Sequence, residues 1–184
     1  MLVGVLTSAS FVSCLSNDDS SGSGNNLTVG QTIPRFTTDV LLLDTADWRY
    51  SGTPSVTFNS EQLDGRLTVI AFFNTTCPDC QRELPVLQQF YDEIKTDTTL
   101  TFICIARAQA KDEVMSYWSQ NKLSLPVSPQ YDRTLYEKFA SSGIPRVYFA
   151  DGQGKITHTF SDKDTLSVED LRNAANLGTK KEKN

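Results

Sequence analysis

Two stretches of the chain are apolar on both alternating faces. Leu67-Thr68-Val69-Ile70-Ala71-Phe72-Phe73 is one, and Leu100 to Ala106 is the other. A strand written that way is covered on both sides. Between them Leu84, Leu87, Tyr91 and Ile94 recur at spacings of three and four, the stripe of an amphipathic helix. The pattern predicts further helices over 111–121, with Val114 and Trp118 inward, and over 132–140, with Leu135 and Phe139 inward. Residues 146–149 read as a strand, Asp151-Gly152-Gln153-Gly154 as a turn, and 155–160 as the returning strand of a hairpin. Ser167 is placed to N-cap a last helix.

Upstream the reading is thinner. Gly30 to Phe36 is a turn leading into an extended piece, because the residue before Pro34 avoids the helical region. Leu41-Leu42-Leu43 and Ser55-Val56-Thr57-Phe58 are short strand candidates, and Asp64-Gly65 marks a turn into the first strong strand. The order is β-α-β-α-α-β-β-α after an extended or β-hairpin N-terminal region. Alternation implies parallel strands, the later hairpin adds an antiparallel edge, and the whole is an α/β chain with a central mixed sheet and helices on both faces.

The first residues are of another kind. Residues 2–15 are apolar and small, and too short to span a bilayer as a helix of about 20 residues. We read 1–13 as a signal peptide, although no Lys or Arg precedes its apolar run. Phe11-Val12-Ser13-Cys14 resembles a bacterial lipobox, with Cys14 as the lipidated residue; the alternative is an ordinary cleaved leader with Cys14 incidental. Residues 14–26 are rich in Ser, Gly, Asn and Asp, a composition that cannot pack a core and acts as a flexible tether. The folded part is then 27–178, with a polar tail at 179–184. These readings place the protein in a bacterial cell envelope as a periplasmic or outer-membrane lipoprotein.

Composition narrows the partners. Seventeen Lys and Arg against 22 Asp and Glu give a net charge of −5, spread along the chain. Nucleic acid would favour a basic stripe, so none is expected as a partner. A monomer is expected.

Four cysteines stand at positions 14, 77, 80 and 104, too few and too uneven for a disulfide framework. Asn74-Thr75-Thr76-Cys77-Pro78-Asp79-Cys80 turns the first strong strand into a helix, and Pro78 suits the first helical position, where its missing N–H would have no partner. Pro85 is expected to kink that helix. Disulfide exchange needs a thiolate attacker and a second thiol near enough to release the mixed disulfide. A Cys-X-X-Cys at a helix start supplies both, since free N–H groups and the helix dipole stabilise a thiolate there. Asp79 opposes that charge, which favours a more reducing poise. Zinc would require two more ligands, and only Cys104 and His158 remain. Haem would require His directly after the motif, where Gln81 stands. No cofactor beyond a redox-active Cys77–Cys80 disulfide is expected, and no metal. A disulfide that never turns over is the structural alternative. Cys104, inside a strand, reads as a small buried hydrophobe.

The run Phe72 to Pro85, with Cys77-Pro78-Asp79-Cys80 followed by Glu83-Leu84-Pro85, resembles the TlpA/ResA-like thiol–disulfide oxidoreductases of the thioredoxin superfamily. Gly143-Ile144-Pro145 lies about 65 residues downstream, where thioredoxins carry a cis-proline, and Gly30-x-x-x-Pro34-x-Phe36 and Asp64-Gly65-Arg66 match family openings. The resemblance implies a thioredoxin-like fold over about 27–178. It implies Cys77 as nucleophile and Cys80 as resolving thiol. Pro145 would sit beside the disulfide, and Ile144 would present backbone to a substrate strand. Glu83 matches a glutamate held to tune the cysteines and move protons; otherwise it is a solvated helix carboxylate. Ala71, Asn74 and Arg146 depart from the family pattern, which touches substrate choice rather than fold. The clients implied are cysteine-containing envelope proteins, with a membrane electron donor to recharge the pair and the lipid anchor as the membrane link.

Two other functions compete. A peroxiredoxin-like thiol peroxidase needs Thr three residues before its reactive cysteine, where Asn74 stands, and an Arg for which Arg146 is the candidate. A tethered, non-catalytic thioredoxin-fold binding module has no need of an intact Cys-X-X-Cys beside a matching proline.

Overall fold

The structure, a computed structural model, describes residues 26–43, 55–64 and 66–177. The leader with Cys14, all of the tether except Asn26, Gly65 of the expected turn and the 179–184 tail lie outside the described residues. Among the described residues no helix is long and apolar enough to cross a membrane.

Strands β1 (Thr37–Leu41), β2 (Ser55–Asn59), β3 (Leu67–Phe73), β4 (Leu100–Ala106), β5 (Val127–Ser128), β6 (Arg146–Ala150) and β7 (Ile156–Phe160) form one sheet. Their order across it is β2-β1-β5-β4-β3-β6-β7. β3, β4 and β5 run parallel, while β6 pairs antiparallel with β3 and β7 with β6. Helices α1 (Pro78–Ile94), α2 (Lys111–Asn121), α3 (Thr134–Glu137) and α4 (Val168–Ala174) complete the fold. This is the mixed α/β sheet the alternating pattern implies.

The side chains of β3 separate the two faces. Phe73 meets Trp118 of α2, and its neighbours on that face, Phe102 and Phe149, meet Phe90 of α1; α4 packs on α1. Phe72, pointing the other way, packs on Tyr136, Phe139 and Tyr148, with Phe36 closing over Phe139. Each face is therefore sealed by aromatic rings, and Val69, Ile70, Ala71, Phe72 and Phe73 are all buried.

Two expectations need correction, and one strand has no counterpart in the sequence pattern. The helix expected over 132–140 shrinks to Thr134–Glu137. Asp132 turns its carboxylate to the Thr134 N–H at the start, and beyond the helix Lys138 and Phe139 bond three residues back, tightening the last turn out of α geometry. The strand expected at Leu41–Leu43 lies earlier, at Thr37–Leu41, because its register is set by pairing with β2. β5 was not foreseen: its two residues sit between Pro126 and Pro129, and its pairing is long-range, to β4 and β1. The helix α1 runs from Pro78 to Ile94 as one element through Pro85. Ser167 caps α4 as expected, in a reciprocal capping box with Asp170.

Candidate active site

Parallel strands carry their chemistry at the ends from which the next helix departs, and here several chain turns meet at one such edge. β3 and β4 end there, β6 begins there, and β7 ends there. The turn after β3 brings Cys77, and the turn before β6 brings Ile144 and Pro145, whose peptide bond is cis. The Cys77 thiol donates to the Ile144 carbonyl at 3.6 Å. The two motifs, 67 residues apart, are thus in contact.

Cys77 is the N-cap residue of α1 and is half-buried, with Pro78 at the first helical position. Cys80, one turn in, is buried. Both are free thiols in this structure. Burial pushes the Cys80 thiol far above the ordinary cysteine value; the backbone of Asn74 lowers it, while Cys77 and Glu83 raise it further. Only the outer of the two sulfurs therefore faces solvent, an asymmetry suited to one attacking and one resolving thiol.

The turn from β3 into α1 is held by its own polar side chains. Asn74 accepts from the N–H and hydroxyl of Thr76 and donates to the Arg107 carbonyl. Gln81 reaches back to the Thr75 carbonyl at 2.7 Å. Gln109, buried and arriving from beyond β4, takes the Thr75 N–H. Sequence pattern does not mark Gln109, because a single Gln in a loop carries no spacing signal.

Glu83 is half-buried on α1, and burial pushes its carboxyl up to about 7; Arg82 lowers it, and Asp164 and Asp79 raise it. Asp79, half-buried between the cysteines, is ion-paired to Arg82, so its charge at the helix start is partly offset. Cys104 is wholly buried in β4, with its thiol pushed far up by burial alone.

Pro145 is preceded by a loop with little freedom. Arg146, nine-tenths buried, turns back on its own chain: Nε reaches the Ser142 and Gly143 carbonyls at 3.0 and 3.1 Å, and Nη2 reaches Ser142 at 2.8 Å. The Tyr136 hydroxyl donates to the same Gly143 carbonyl at 2.7 Å. Asp162 lies 3.9 Å from the Arg146 guanidinium. All the site residues expected from the sequence within the described chain are at this edge. A groove of about 700 Å³ between α1's far end and β1–β2 includes none of them.

The Redoxin family model matches residues 28–177. The sporulation thiol-disulfide oxidoreductase A of Bacillus subtilis (strain 168) is 28% identical over 97 residues, 52% of this chain and 59% of that protein. The thiol-disulfide oxidoreductase ResA of the same organism is 21% identical over 106 residues, 58% of this chain and 59% of that one. The chain thus spans about 59% of the length of the curated relatives it matches. A thioredoxin-family thiol:disulfide interchange protein from Chlorobium tepidum TLS superposes with a TM-score of 0.62 at 22% identity, covering 82% of this chain and 99% of that one. The fold is thioredoxin-like, and the chain belongs to the Redoxin family.

Proposed function

We propose that the chain is a thiol–disulfide oxidoreductase that reduces disulfides of envelope proteins through Cys77 and Cys80. The observation that carries this reading is the contact of the half-exposed Cys77 thiol with the carbonyl before cis-Pro145, beside a buried Cys80. The thiolate of Cys77 attacks one sulfur of a client disulfide, and the other client sulfur leaves as a thiolate. Cys80 then gives up its proton and attacks the Cys77 sulfur. The client's second thiolate departs, two electrons have passed to the client, and Cys77–Cys80 is a disulfide. Cys80, buried and hard to ionise, needs a proton acceptor. Glu83, poised near 7, lies close enough to raise the Cys80 thiol and serves as that acceptor.

The relatives' names support exchange chemistry. A lipid anchor at Cys14, a membrane electron donor and an envelope location belong to the same reading, carried by the apolar leader and the tether. The peroxidase alternative finds less support. Asn74 is engaged with Thr76 and Arg107, and Arg146 is turned onto its own loop rather than toward Cys77. A binding module has no use for the paired thiols.

The test is a redox titration of the full chain in glutathione and dithiothreitol buffers, read by thiol alkylation and mass. One reversible two-electron couple on Cys77 and Cys80, near or below about −270 mV, is the expected result for a reductant. A pair that never bridges, or stays bridged until the fold is lost, overturns the exchange reading.

A further inference from the structure

Charged side chains gather along the active edge of the sheet. Read across it, the strand ends bring Asp162 after β7, Arg146 and Pro145 at β6, Cys77 after β3, and Arg107 after β4. At the β7 end Asp162 lies beside the cis-proline loop and 3.9 Å from the Arg146 guanidinium, and Lys163 stands between Asp162 and Asp164. The β4 end carries two arginines stacked on one ring. There the Arg107 guanidinium lies 5.1 Å from the centre of the Tyr136 ring, and Arg133 lies 5.6 Å from the same ring. Tyr136 in turn donates to Gly143 of the loop, so the ring beneath the arginines is fixed to the same loop as Pro145.

The two arginines differ in one respect. Arg133 is ion-paired with Glu137 and donates to the Ser141 carbonyl. Arg107, half-buried, has the Tyr136 ring as its side-chain contact and no carboxylate partner among the described residues. Asp132, whose carbonyl accepts the Ala108 N–H, turns its carboxylate to Thr134 instead. A stacked guanidinium keeps its donors free in a planar fork, which suits a carboxylate.

We infer that Arg107, shelved on Tyr136, selects client segments that carry a carboxylate side chain near their disulfide-bonded cysteine. This rests on the exchange reading above. Arg107 stands about two strand spacings, roughly 10 Å, from the start of β6, a reach of about three extended residues. Arg107 is a specificity residue and takes no part in the electron transfer.

The experiment compares two disulfide-bonded peptides reduced by the full chain, with dithiothreitol returning Cys77–Cys80 to the dithiol and its direct reduction of each peptide subtracted. One carries Glu three residues before and three after the cysteine, and the other carries Gln at both positions. The expected result is a kcat/KM higher by roughly threefold for the Glu peptide, expressed in KM and shrinking with added salt. Arg107→Gln brings the two peptides together, Arg107→Lys keeps part of the preference, and Arg107→Glu turns it toward a Lys peptide of the same length. Damage to the fold would slow every peptide alike and would not invert the preference. Equal rates for both peptides with the unaltered protein, or a preference that survives Arg107→Gln, overturns the inference and leaves exchange standing. Reduction of neither peptide removes the exchange reading and this one with it.

Discussion

Thr75 and Gln109 hold each other through two reciprocal hydrogen bonds, the Thr75 N–H to Gln109 Oε1 at 2.7 Å and Gln109 Nε2 to Thr75 Oγ1 at 2.6 Å. Both residues are buried, so water does not replace either bond. The pair ties the turn that presents Cys77 to the chain leaving β4. Gln109→Ala is expected to leave the Thr75 N–H unpaired at a cost of about 1–3 kcal/mol, read as a lower urea midpoint at unchanged slope. Under the proposed exchange, client reduction slows as the turn loosens. An unchanged midpoint would count against this tie.

Glu83 makes stability depend on pH. In the fold, burial holds its carboxyl protonated up to about 7, against an ordinary value of 4.5 in the unfolded chain. Between those values the unfolded chain has released the proton and the folded one has kept it. Stability therefore falls as pH rises through this window and levels off above about 7. Glu83→Gln, neutral throughout, is expected to lose this slope and to exceed the parent's stability at pH 8, measured by denaturant melts across pH. A slope that persists in the variant would show that the titrating group lies elsewhere.

Gly143 has φ +82°, and a Cβ built on it would stand 2.5 Å from an Asp162 carboxylate oxygen. Gly143→Ala is thus expected to destabilise twice over, by contact and by a left-handed backbone worth about 1–2 kcal/mol. In an Asp162→Ala background the contact part disappears and the backbone part stays. A double-mutant cycle on thermal or urea melts separates the two, and a cost unchanged by Asp162→Ala would refute the contact.

Thr68, in β3, is wholly buried, and its hydroxyl has no hydrogen-bond partner among the described residues. Thr68→Val keeps the shape and removes the unpaired polar atom. A stabilisation of about 1 kcal/mol is expected, read as a raised urea midpoint. A lower midpoint would mean that the hydroxyl is satisfied in solution.

Legibility in the sequence followed the range of the interaction. β3, β4 and α1 could be read because each carries its own period: seven residues apolar on both faces, or a stripe at three and four. The Cys77–Cys80 spacing and the family resemblance at Gly143-Ile144-Pro145 mark two segments, and the Ile144 carbonyl before cis-Pro145 accepts from the Cys77 thiol. β5 was hidden, because two residues between prolines have no period and their pairing is supplied by strands distant in sequence. Arg146 was legible as a departure from the family pattern, but its direction was not. The carbonyls it serves are its own neighbours, and a sequence records no rotamer.

The Gly143 and Ile144 carbonyls differ in saturation. A carbonyl oxygen has two lone pairs to offer. Those of Gly143 are both taken, by the Tyr136 hydroxyl and by Arg146 Nε. Ile144 receives the Cys77 S–H, a weak donor that a backbone N–H readily displaces. A client strand laid against the loop thus meets a full acceptor and, one residue on, a contestable one. A sulfur that has entered a mixed disulfide has no S–H left to give. In the proposed cycle the Ile144 oxygen is therefore vacated when Cys77 becomes the attacking thiolate, stays without that donor while the client is covalently held, and is occupied again once Cys77 is returned to a thiol.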